Sequence, residues 1–127
     1  MALIFDTNAL SAFADGDAGL RSAMAVEDEL ALPAIVLGEY LFGVRQSRYR
    51  ARYESWLGQL VNVFTILQVG SNTASHYAEI RSELKAAGHP IPTNDVWIAA
   101  VAREHHYRLA TRDAHFRLVR GIQVLSW

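Results

Sequence analysis

Cysteine is absent from the 127 residues, which removes disulfide frameworks and thiolate metal sites together and suits a chain that works in a reducing compartment. Proline is scarce, three in all, and Lys85 is the only lysine. No apolar run is long enough to cross a bilayer. The richest, LALPAIVLGEYLFGV, is interrupted by Pro33, Gly38 and Glu39, and no basic segment followed by a long apolar one opens the chain. A soluble, cytoplasmic protein is the expectation. Neither sign of charge is in excess, with 12 Lys and Arg against 13 Asp and Glu, so strong global attraction to nucleic acid is excluded.

What is present is apolar material for one core. With 51% hydrophobic residues, a chain of this length buries roughly two thirds of its unfolded surface and folds without staples, as a single domain spanning residues 1–127. The balanced charge hides an asymmetry. Residues 1–43 carry seven acids and one base, whereas residues 44–127 carry six acids and eleven bases, ten of them arginine. Arginine favours planar, bidentate contact to phosphate or carboxylate. The basic RQSRYRAR stretch reads equally well as a solvated helix face.

Hydrophobic periodicity predicts alternating elements without repeats. Strands are expected at Ala2 to Phe5, Leu30 to Leu32, Phe64 to Leu67, Arg108 to Thr111 and Ile122 to Leu125. Short helices are expected at Asn8 to Phe13 and Asp17 to Ala25, and a helix with scarcely a polar face at Ala34 to Val44. Ser47 to Leu60 is amphipathic. A further helix, capped by Ser71 or Asn72, runs to Ala87 and stops at Gly88. After the HPIP turn, Thr93 is a fitting N-cap for a helix whose interior, VWIAAVA, is small and apolar nearly all round. Parallel neighbours need crossover helices, so this alternation argues a parallel sheet covered on both faces.

On that scaffold four acids share an edge, because the carboxyl ends of parallel strands and the amino ends of the following helices lie together. Asp6 follows the first strand, and Asp113 lies two residues past Thr111. Asp95 sits in the first turn of the VWIAAVA helix, and Glu39 interrupts the apolar helix after the second strand. Each has a plain structural explanation by itself. Asp6 and Asp113 suit turns, Asp95 suits a helix start, and a buried Glu39 requires an arginine or a metal as partner. Together they repel, by about 3 kcal/mol per pair at ~5 Å and an effective dielectric of ~20. A divalent cation resolves the repulsion, and an all-oxygen donor set matches Mg²⁺ or Mn²⁺. The implied chemistry is phosphoryl transfer.

The order DTN, then Glu39, then GHPIPTNDVWIAAVAREHHYRLATRDAHF, resembles the PIN-domain nucleases, and in size the VapC toxins of toxin-antitoxin pairs. That resemblance implies a three-layer α/β/α sandwich around a short parallel sheet. It also implies a metal-dependent ribonuclease using Mg²⁺ or Mn²⁺, with Asp6, Glu39, Asp95 and Asp113 as catalytic metal ligands and Thr7, Asn8 and Thr111 in support. Arg112, between Thr111 and Asp113, is a candidate phosphate contact. Many relatives carry a further acid ahead of the Asp95 position, where this chain has Thr93 and Asn94.

Competing readings are weaker. His76, His89, His105, His106 and His115 have no serine or cysteine nucleophile motif beside them. A haloacid-dehalogenase-like phosphatase would need a second aspartate where Asn8 stands. A non-catalytic RNA- or partner-binding module, or a PIN nuclease of RNA processing, are the remaining alternatives. Tyr49, Tyr53 and Trp56 recur at helical spacing among arginines, the composition of a protein interface. The resemblance implies its occupant, a VapB-like antitoxin, with the toxin a homodimer inside the complex and RNA as substrate.

Overall fold

The protein is described by a computed structural model covering residues 2–60 and 62–127; Met1 and Val61 lie outside the described residues. Five short strands form one sheet: β1 (Ala2–Phe5), β2 (Glu29–Pro33), β3 (Phe64–Leu67), β4 (Arg108–Ala110) and β5 (Val124–Leu125). Their order is β3-β2-β1-β4-β5 and every pairing is parallel. Between them run α1 (Thr7–Ala14), α2 (Ala18–Met24), α3 (Ala34–Arg45), α4 (Arg50–Leu60), α5 (Ser71–Ala87) and α6 (Thr93–His105), with a 3₁₀ turn at Ala114–Leu118. The chain moves outward from β1 to β3, then crosses back to β4. With crossovers of one hand, that reversal puts helices on both faces, and the expected three-layer α/β/α sandwich results.

The carboxyl-terminal halves of the central strands are buried, and β1 is buried along its whole length. Leu3, Ile4 and Phe5 on β1 and Leu109 and Ala110 on β4 have no exposed surface, as a sheet covered on two sides requires. The small residues of α6 serve the same packing, since Ala99, Ala100 and Val101 are fully buried. Phe5 meets Phe13 and Phe64 edge-to-face at 6.0 and 5.0 Å, a geometry that aromatic quadrupoles favour. No helix among the described residues is long and apolar enough to span a membrane.

Several element boundaries shift for local reasons. The cap of α5 is Gly70 rather than Ser71 or Asn72: the Gly70 N–H donates to the Thr73 hydroxyl at 3.1 Å. Thr93 is the first residue of α6, not its cap. Pro92 takes the cap position, where its fixed φ suits an extended backbone and its missing donor costs nothing. The helix expected from Ser47 starts only at Arg50, because the Ser47 hydroxyl accepts from the Tyr49 N–H at 3.1 Å and holds a local turn. The last two strands are each shorter than expected, with Thr111 just beyond β4 and Ile122 outside β5. Gly88 ends α5 with φ +74°, as a left-handed C′ residue.

Candidate active site

Strand order locates the crevice. From β1 the connections leave toward β2 on one side and return to β4 on the other, so the carboxyl ends of β1 and β4 border an open cleft. Asp6 stands there, 4% exposed. Its backbone N–H continues the ladder to the Ala110 carbonyl at 3.3 Å. Oδ1 accepts from the Ala9 N–H at 2.8 Å and so caps α1, while Oδ2 accepts from the Thr111 hydroxyl. Thr111 Oγ1 in turn accepts from the Asp113 N–H at 2.9 Å. One buried hydroxyl therefore fixes both the first acid and the loop that carries the last.

Asp113 caps the 3₁₀ turn, its Oδ1 accepting from the His115 N–H at 2.9 Å. That turn is anchored by Phe116, 1% exposed, and it aims the His115 ring back at the acids. His115 Nδ1 lies 3.1 Å from Asp95 Oδ2 and 3.1 Å from Asp113 Oδ1. Asp95 reaches this point from the first turn of α6. Glu39 faces it from α3, with Oε1 buried and without a hydrogen-bond partner. The Asn94 and Thr7 side chains approach Glu39 and favour its charged form, but only in part.

The electrostatics follow from crowding and burial. Desolvation raises the Asp6 carboxyl above its usual range; the bonds from Thr111 and Ala9 oppose this, and the neighbouring charges of Asp113 and Asp95 add to it. Glu39 is raised by burial and then by Asp95. Asp95 is raised by burial, relieved by the His115 bond and raised again by Asp113. Three acids pushed toward their neutral forms, with one buried oxygen unpartnered, form a donor set that a cation would satisfy. The ligand atoms of Asp95, Asp113 and His115 all lie within 4.8 Å of one another.

Two of the expected supporting residues face elsewhere. Asn8 is exposed and lines a neighbouring groove with Asp17, Arg112 and Trp127. Arg112 is engaged there: Nε donates to the Trp127 carbonyl at 3.1 Å, the guanidinium sits 4.5 Å from the Trp127 ring centre, and Asp17 is 3.7 Å away. Conversely, Asn94 and His115 belong to the cluster and were not among the expected site residues. His115 has no nucleophile motif beside it, and its place two residues after Asp113 is the one sequence signal for it.

A second cleft, of about 320 Å³, opens from Thr7 and Glu39 past Tyr40 to Ser47 and Tyr53. Around it the three aromatics differ. Tyr49 precedes α4 and is half exposed, with the Arg48 guanidinium 4.9 Å from its ring centre. Tyr53 and Trp56 are partly buried, and Trp56 packs at 6.1 Å on Phe13 and 5.9 Å on Tyr40. Beside them Phe42 is 67% exposed.

Comparison with known proteins supplies the family. The model of the PIN domain matches residues 3–122. Ribonuclease VapC1 of Rickettsia felis is 31% identical over 130 residues, covering 99% of this chain and 96% of the relative. Among solved structures, VapBC-5 from Mycobacterium tuberculosis superposes with a TM-score of 0.76 at 29% identity, over 98% of this chain and 96% of the other. VapBC2 from Rickettsia felis, bound to a DNA fragment from its promoter, does so with a TM-score of 0.90 at 24% identity, over 100% and 99%. The chain belongs to the PIN-domain family and, within it, to the VapC group.

Proposed function

We propose that this protein is the toxin of a toxin-antitoxin pair, a ribonuclease that hydrolyses RNA phosphodiester bonds with Mg²⁺ or Mn²⁺ and is silenced by a VapB-like antitoxin. The observation that carries the reading is the acidic edge itself, where Asp6, Glu39 and Asp95 are all raised toward neutrality and Glu39 Oε1 is buried without a partner. Asp6, Glu39, Asp95 and Asp113 would hold the cation. Bound there, a divalent ion supplies the charge that activates water near neutral pH and neutralises a phosphate. The chain's own contribution is positioning. Thr111 holds Asp6 and the Asp113 loop in one arrangement, and Asn94 and Thr7 steady Glu39. A covalent phosphatase reading finds no support, since Asn8, at the place of the second aspartate, offers no carboxylate and lines the neighbouring groove.

The partner reading rests on the family and on the cleft that leads from Tyr53 to Glu39. An antitoxin segment anchored near Tyr49, Tyr53 and Trp56 has a path along it to the acids, within a complex built on a toxin homodimer. Absence of cysteine suits work in the cytoplasm, where the RNA is. The test is cleavage of single-stranded RNA by protein freed of any partner. Cutting with Mg²⁺ or Mn²⁺ that stops on adding EDTA is expected; undiminished cutting in EDTA would overturn the proposal.

A further inference from the structure

We propose that His115 joins Asp95 and Asp113 as a cation ligand, so that one end of the acidic site offers a mixed nitrogen and oxygen donor set that selects Mn²⁺ over Mg²⁺. The inference rests on the reading that the acidic edge holds a divalent ion. Its own support is geometric. His115 Nδ1 is 3.1 Å from an oxygen of Asp95 and 3.1 Å from an oxygen of Asp113. Adjacent donors of an octahedral ion with bonds of ~2.1 Å lie ~3 Å apart, so the ring nitrogen already stands at the spacing of a neighbouring ligand to each carboxylate.

The ring is also held where a ligand needs to be. Its backbone N–H is bound to Asp113 Oδ1, and the next residue, Phe116, is buried in the core. The short 3₁₀ turn therefore presents the imidazole from a fixed base, while α6 presents Asp95 from its first turn. Imidazole is a poor donor for Mg²⁺, which prefers oxygen and keeps its waters, and a good one for first-row transition ions. A plain ion pair is the competing explanation. In that case an arriving cation would have to displace the histidine, and removing the side chain would help binding.

Isothermal titration of metal-free protein with MnCl₂ and with MgCl₂, for the parent, His115→Ala and His115→Gln, separates the two. Melting curves without metal verify that each variant folds, as expected for an exposed side chain. The expected result is that Mn²⁺ affinity falls about tenfold or more in both variants while Mg²⁺ affinity changes by less than about threefold. The visible spectrum of bound Co²⁺ should change in both variants as well, since a nitrogen ligand is lost. Unchanged or tighter Mn²⁺ binding in the variants would overturn the assignment, and equal losses for the two ions would overturn the selectivity. A parent that binds neither ion would overturn the metal-site reading together with this one, whereas a parent that binds both, with no dependence on His115, would overturn this one alone.

Discussion

Asp6 uses its two oxygens differently, one to cap α1 through the Ala9 N–H and one to receive the Thr111 hydroxyl. A single buried threonine thus joins the ends of β1 and β4. Thr111→Val keeps the shape but leaves Asp6 Oδ2 and the Asp113 N–H without that partner. A loss of roughly 1–3 kcal/mol in denaturant unfolding is expected, with Thr111→Ser recovering most of it; a valine variant as stable as the parent would show the bridge to be idle. Asp6, Asp95, Asp113 and Glu39 were legible in the sequence because each is an acid at a place that strand and helix patterning defines. Asn94 was not legible, and His115 only through its place two residues after Asp113. Their contacts arise only when the start of α6 and the 3₁₀ turn are brought together, and no local pattern encodes that apposition. The surroundings of Arg112 were not legible for the same reason: sequence adjacency to Asp113 says nothing of Trp127, whose carbonyl accepts from Arg112 Nε and whose ring lies beside its guanidinium.

At the scale of elements, α6 is the piece that delivers Asp95, and it does so by packing closely. Ala99 and Ala100 have no exposed surface, so a larger side chain has nowhere to go. Ala99→Leu is expected to cost about 1–3 kcal/mol by overpacking. Because the same shift would displace Asp95, divalent-cation affinity should fall with it; calorimetric melting and metal titration of one preparation check both. An undisturbed melt would mean that α6 has slack. The helices and strands themselves were readable from periodicity, as was Gly88 as a stop signal. The caps were harder to read. Ser71, Asn72 and Thr93 all have capping chemistry, yet Gly70 and Pro92 hold the cap positions, since backbone conformation there outweighs side-chain preference. On α4, the Ser47 turn removed Tyr49 from the helix face that its spacing with Tyr53 and Trp56 had suggested.

For the whole molecule, the acidic edge couples folding to protons and, on the proposed function, to metal. Asp6, Glu39 and Asp95 all have carboxyls raised in the folded state, so the folded protein binds more protons than the unfolded chain between the ordinary and the raised values. The stability these groups contribute is complete below their ordinary values and is lost as pH rises through the folded ones. Without metal, the site should therefore favour a higher melting temperature in mild acid than at neutral pH, although Asp17, held down chiefly by the Leu20 N–H, acts in the opposite sense. A saturating divalent cation should raise the melting temperature most at neutral pH, where the carboxylates are charged. Melting curves across that range, with and without Mn²⁺, decide it; a metal effect that is largest in acid would contradict the assignment.

The central claim is that these carboxylates hold the ion with which RNA is cut, and the most direct measurement is the single-turnover cleavage rate of Asp6→Asn beside the parent, each with saturating Mn²⁺ and each verified as folded. The substitution keeps the side-chain shape and an oxygen for the Ala9 N–H while removing the ligand charge. The expected result is a rate lower by about a hundredfold or more, with the fold intact. A folded Asp6→Asn protein that cleaves RNA within a few-fold of the parent rate would contradict it.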